Sequence, residues 1–184
     1  LNLISGIENN YTGSVEVLDQ NIAALSQMQR DAFRANNIGI IFQQFNLLPY
    51  LSALNNILLA QRFKKNASNT DNNQLASICD KLELSQQLLS QKASELSVGQ
   101  QQRVAVARAL LGSPSMIIAD EPTSALDSET RENFIQLLLE TANSATVIFV
   151  SHDLSLSDYF DVQVRLADLK TPHLTSNVGQ ANVV

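Results

Sequence analysis

Tryptophan is absent from this sequence, and cysteine and histidine nearly so: one Cys and two His in 184 residues. The single cysteine, Cys79, excludes an internal disulfide, and its place between Ile78 and Leu82 reads as a small core residue. So few soft ligands cannot build a zinc site from protein alone. No apolar run approaches the roughly 20 residues needed to span a bilayer, and no leader pattern opens the chain. We therefore expect a cytoplasmic protein. Basic residues are outnumbered, 12 Lys and Arg against 18 Asp and Glu, and they form no cluster. A net charge of −6 of that kind argues against DNA or RNA as the main partner. No internal repeat is visible. What remains is a 45% hydrophobic chain long enough for one domain with a substantial core.

Taken in order, Leu1 to Gly6 reads as the last turns of a helix and its glycine stop, an opening without a cap that suggests a truncated start. Ser14 to Leu18 alternates like a strand of an antiparallel pair, followed by a turn at Asp19 to Asn21. Ser26 to Asn37 is helix-compatible, with Met28 and Phe33 expected inward. Ile38 to Phe42 is a short buried strand that leaves through Gln43 and Gln44 into a loop. The apolar group Phe45, Leu47, Leu48, Tyr50 and Leu51 is either a contact surface or packs under the next helix. From Leu51 to Ala93, helical patterns surround a polar stretch at 63–73, as in a small helical insertion. Ser128 opens a further helix with inner residues Phe134, Leu137, Leu138 and Thr141. Thr146 to Val150 is an uncharged strand of the kind buried on both sides. Val162 to Leu166 alternates like a last strand, and 170–184 is a polar tail. The order of elements after Phe33 points to a mainly parallel sheet flanked by helices.

The most informative stretch is Glu95 to Asp127. Ser97 and Gln100 form a capping-box pair, which is either an ordinary helix start or a set of free amides suited to a phosphate. Val104, Ala107, Leu110 and Leu111 continue at helical spacing until Gly112 and Pro114. Met116 to Ala119 is then a strand ending in Asp120-Glu121. Adjacent carboxylates at a strand end are either solvated or a place where one holds a metal and the other takes a proton. Ser124-Ala-Leu-Asp127 follows a Pro-Thr turn.

In this order the three motifs resemble the signature, Walker B and D-loop of an ABC-transporter ATPase, whose pattern is LSGGQ, a strand ending in DE, and SALD. One position departs, Val98 standing where the first signature glycine falls. The resemblance extends from Leu1 to about Leu169. It implies a P-loop NTPase-like α/β fold with a helical subdomain over about 51–111 and a small N-terminal antiparallel β part. It also implies ATP and Mg2+ as ligands. By position, Asp120 would hold magnesium, Glu121 would act as general base, and Gln43 (the Q-loop glutamine) would coordinate the metal and the attacking water. His152 would hold the γ-phosphate and the water, although by itself a histidine past a strand reads as a helix cap. Ser97, Val98, Gly99 and Gln100 would address a nucleotide held by a second, head-to-tail subunit, with Asp127 at that interface. Val98 is expected at negative φ, because a β-branched residue at positive φ is strained.

No G-x-x-x-x-G-K-[ST] stretch occurs in the 184 residues. The phosphate cradle and its lysine are thus expected to precede Leu1 in a longer protein. Segments Ser26–Arg34 and Gly39–Ala60 are most similar to subunits of lipoprotein-releasing and macrolide-exporting systems. That implies a transmembrane permease partner and a peripheral place on the inner face of the membrane. Two other readings stand beside it. One is a truncated or degenerate subunit that binds a permease without hydrolysing ATP. The other is a nucleic-acid or translation ATPase with the same motifs, against which the short segment between Gln43 and Ser97 speaks, because repair relatives carry a long coiled coil there.

Overall fold

A computed structural model describes residues 1–8, 10–64, 72–124, 126–142 and 144–169. The chain divides into two units, Leu1–Ser151 and His152–Val184.

The first unit opens on a helical turn closed by paired bonds, Ile7 N–H to Asn2 O at 2.9 Å and Gly6 N–H to Leu3 O at 3.0 Å. With Gly6 at φ +68, this is the Schellman stop expected of the sequence. Strands β1 (Glu16–Val17) and β2 (Gln20–Asn21) pair antiparallel. Leu18 and Asp19, both at positive φ, make the tight turn between them, so the turn falls one residue before the expected Asp19–Asn21. Helix α1 (Gln27–Asn37) starts at the Ser26–Gln29 capping box. Phe33 packs toward the core, but Met28 is 72% exposed, contrary to expectation. Five residues at about 100° each set the two about 140° apart, so one helix cannot turn both inward.

Three parallel strands form the main sheet in the order β3 (Ile38–Phe42), β4 (Met116–Asp120), β5 (Thr146–Val150). One face buries Ile38, Met116 and Ile118 against Val17, Ile22 and Phe33. Helix α5 (Val98–Leu110) packs on β3, with Val104, Ala105, Val106 and Ala107 fully buried. The approach depends on Gly39, where a Cβ would stand 2.3 Å from the carbonyl oxygen of Ala109. Strand β5 is only half-buried rather than enclosed on both sides, because among the described residues it forms an edge of this sheet.

Between β3 and α5 lie α2 (Ala53–Arg62), α3 (Asn72–Lys81) and α4 (Gln86–Ser90), the expected helical insertion. A Ser52–Lys92 bridge closes it, with Ala53 N–H to Gln91 O and Ala93 N–H to Leu51 O both at 2.9 Å. Asn56, wholly buried, answers both backbone groups of Leu48: its Oδ1 accepts from the N–H at 2.7 Å and its Nδ2 donates to the carbonyl at 3.1 Å. Beyond α5, Gly112 at φ +94 turns the chain while Lys64 Nζ donates to its carbonyl at 3.0 Å. Burial pushes that ammonium's pKa down. Of the expected polar stretch, 65–71 lie outside the described residues. Helix α6 (Ser128–Ala142) buries Phe134, Ile135, Leu138 and Thr141.

In the second unit Asp153 caps a short 3-10 helix, Leu154–Tyr159, by accepting from Ser155 N–H at 2.9 Å. The expected strand at Val162–Leu166 is not formed. Its alternating Val162, Val164 and Leu166 are all exposed, and alternation without a partner strand makes no ladder; Leu166–Leu169 is a short helix, α7, instead. The polar tail, 170–184, lies outside the described residues. Among those described, no helix is long and apolar enough to cross a membrane.

Candidate active site at the strand ends

The sheet is in register, so Phe42, Asp120 and Val150 stand side by side at the ends of β3, β4 and β5. Neighbouring strands lie about 4.8 Å apart. The chain therefore leaves all three strands at one level, which brings Gln43, Asp120 and Glu121 together. This is the edge at which parallel α/β sheets bind ligands.

Asp120 is exposed and Glu121 half-buried. Glu121 sits at φ +48, and its N–H donates to Val150 O at 3.0 Å, extending the ladder one residue past β4. The αL step then turns the chain into Pro122 and Thr123, both buried, and Ser124 N–H returns to Glu121 O at 3.3 Å. Across the gap Gln43 Nε2 donates to Ser124 Oγ at 3.0 Å, tying the loop after β3 to the loop after β4.

The donors gathered here are carboxylate, amide and hydroxyl oxygens. Such a set suits a hard cation that keeps most of its waters, as Mg2+ does, and does not suit zinc. No cluster of three or more Asp, Glu, His or Cys occurs among the described residues, so a metal here would lean on water or substrate oxygens for most of its shell.

Ser97 caps α5 as expected, its Oγ accepting from Gln100 N–H at 3.3 Å while Gln100 Oε1 accepts from Ser97 N–H at 2.9 Å. Val98 is the first helical residue, with φ outside the positive range, and its side chain is 53% exposed. Nothing lies within 4 Å of a Cβ placed on Gly99, so this helix start is open to approach. Arg108, eleven residues on and about 16 Å from Ser97 along the helix axis, reaches the loop after β3.

Asp127 caps α6: Oδ1 accepts from Thr130 N–H at 3.0 Å and Oδ2 from the Thr130 hydroxyl at 2.7 Å. These bonds, the backbone one foremost, hold its carboxyl below the ordinary aspartate range. His152 opens the second unit and is exposed; the helix cap beside it is Asp153, not the histidine.

Two participants were not singled out from the sequence. Ser124 lay inside a noted motif, yet nothing local identifies it as the partner of Gln43. Arg108, in the last turn of α5, donates from Nη2 to Phe45 O at 2.5 Å and from Nη1 to Asn46 O at 2.8 Å. A side chain reaching distant carbonyls leaves no spacing signal.

The ABC transporter family model matches residues 1–124. An uncharacterized ABC transporter ATP-binding protein of Methanocaldococcus jannaschii, MJ0796, is 39% identical over 173 residues, covering 91% of this chain and 74% of its own length. The lipoprotein-releasing system ATP-binding protein LolD of Hydrogenovibrio crunogenus is 34% identical over 170 residues, with the same coverage of each chain. Among solved structures, the dimeric post-hydrolysis state of the MJ0796 cassette bound to ADP and Pi superposes with a TM-score of 0.74 at 36% identity. That match covers 86% of this chain and 70% of the other. Motif order, an in-register parallel sheet ending in the carboxylate pair, and these likenesses agree: the chain belongs to the ABC transporter family of ATP-binding proteins, whose members are ATPases.

Proposed function

We propose that this chain is the metal-binding, water-activating and signature-bearing part of an ATPase subunit that powers a membrane permease. The observation that carries the proposal is the common level of Gln43, Asp120 and Glu121 at the strand ends, held by the Gln43–Ser124 bond. Asp120, exposed at the edge, would hold Mg2+, which would supply charge neutralisation to the phosphate oxygens. Glu121 accepts the proton of the water that attacks the γ-phosphorus, and ADP leaves as phosphate forms. Gln43 orients that water, and His152, in the second unit, is assigned to the γ-phosphate by its motif alone. Ser97, Val98, Gly99 and Gln100 face the nucleotide of a second copy in a head-to-tail pair, with Asp127 at the junction. The dimer of MJ0796 with ADP and Pi supports this.

The permease docks in a groove of about 820 Å3 that runs along β3 between α1, α2 and α5. Its walls include Ile38, Leu59 and Phe63, with Lys64 and the Arg34–Asp31 ion pair among them. Tyr50 is exposed at the exit of the loop after β3, whereas its expected companion Phe45 is buried in the core. LolD's name places one relative in a lipoprotein-releasing system. A permease partner would hold this chain on the inner face of the membrane.

The second reading is a subunit that docks on a permease without turnover. One substitution separates the two. In the full-length gene product Glu121→Gln keeps size and hydrogen bonding but removes the base, so ATP binds while turnover falls about 10²-fold or more. Turnover near wild type would refute the role of Glu121, and no turnover in the wild type would favour the docking subunit.

A further inference from the structure

A cation in the last turn of a helix ordinarily complements that helix's own carbonyls. Arg108 does something else. Its guanidinium donates to the consecutive carbonyls of Phe45 and Asn46, more than sixty residues earlier in the chain. Both acceptors are at positive φ, 56° and 47°, a conformation that asparagine tolerates but the bulky Phe45 disfavours. This kink begins one residue after Gln43-Gln44 and is held from within by Phe45 N–H to Phe42 O at 2.9 Å. Further on, Asn56 fixes Leu48. Among the described residues Arg108 has no carboxylate partner, so the two carbonyls are what satisfies its half-buried charge. Burial accordingly lowers its pKa.

We infer that Arg108 is a positioning residue for Gln43. By clasping the Phe45–Asn46 kink it sets where the glutamine stands against Ser124, and because it rides on α5 it transmits movement of the signature helix to the Q-loop. The inference rests on the ATPase reading above. A planar fork spans two carbonyls where the point charge of a lysine ammonium does not, which makes Arg108→Lys the informative substitution.

In the full-length gene product, Arg108→Lys lowers kcat about tenfold with KM within about twofold. In a Gln43→Ala background the same substitution changes kcat by less than about twofold, because the residue it acts through is gone. Wild-type kcat in Arg108→Lys, or an undiminished effect in the Gln43→Ala background, overturns the inference. A second measurement needs no turnover. Amide hydrogen exchange of the Arg108→Lys chain is at least about fivefold faster at Phe45 and Asn46, and unchanged at Phe134–Leu138 in α6. Unchanged exchange at the kink, or equal acceleration in α6, overturns it. Should that variant not fold, the wild-type guanidinium decides by NMR: separate, slowly exchanging Nη resonances support the clasp, and one averaged signal refutes it. Absent turnover in the wild type would defeat the ATPase reading while leaving both of these results readable.

Discussion

Gly39→Ala tests how closely α5 lies on the sheet. Gly39 has no positive φ, so alanine fits the backbone and only space opposes it. The new Cβ would stand 2.3 Å from Ala109 O, 3.0 Å from its carbonyl carbon and 3.3 Å from its Cα. Ordinary C···O approaches are about 3.3–3.6 Å, so the gap must open by about 1 Å. The obstacle is the backbone of a helix whose Val104–Ala107 segment is fully buried, and it cannot swing aside as a side chain tip would. Overpacking of this kind costs about 1–3 kcal/mol, and a rigid obstacle places it near the upper end. Lower entropy of the unfolded alanine chain returns about 0.5 kcal/mol, leaving a net loss of about 2.5 kcal/mol. For a chain of this size that is a fall in Tm of roughly 5–10 °C. Thermal melting followed by circular dichroism, with urea unfolding as a check on the slope, reads it directly. Gly99→Ala is the control, since nothing lies within 4 Å of its Cβ, and its stability stays level or rises. A Gly39→Ala melting point within about 1 °C of wild type would refute the packing argument.

Val98→Gly removes an exposed side chain from a helix start of ordinary φ; it lowers stability by at most about 1 kcal/mol and changes the ATPase rate of the full-length gene product less than about threefold. A large gain in rate would show that valine handicaps the signature. Asp127 has a depressed pKa in the folded state, so its capping contribution is complete above about pH 4, the unfolded value, and is lost as pH falls through the folded one. Asparagine caps as well without titrating, so between pH 5 and pH 3 the urea midpoint of Asp127→Asn falls less than that of wild type; parallel falls would contradict the assignment. The 184-residue chain contains no Walker A stretch, and isothermal titration with MgATP gives a Kd of about 1 mM or weaker, roughly −4 kcal/mol. A micromolar constant would reveal another phosphate cradle.

Local chemistry was the legible part of this protein. The capping boxes at Ser26 and Ser97 need only residues three apart, and both helices start where the sequence places them. Strands β3, β4 and β5 declare themselves as short apolar runs, β4 ending in Asp120. Features that need a distant partner were not legible. Val162–Leu166 has the alternation of a strand, yet a strand exists only where another lies beside it. Half-burial of β5 depends on its place at an edge, which periodicity does not encode. The same holds for the site. Asp120, Glu121 and Gln43 announce themselves by motif, but the Ser124 tie and the Arg108 clasp span 81 and 63 residues.

The backbone at Glu121 bears on how lineages of this protein would change. A glutamate at φ +48 is held against its own preference, at a cost of about 1 kcal/mol that glycine would avoid and asparagine would reduce. Left to drift, that position would slide toward glycine or asparagine, each step stabilising the fold. Asp120, in ordinary strand geometry next to it, feels no such pull. In descendants released from selection for turnover, decay should therefore begin at position 121 and reach position 120 later.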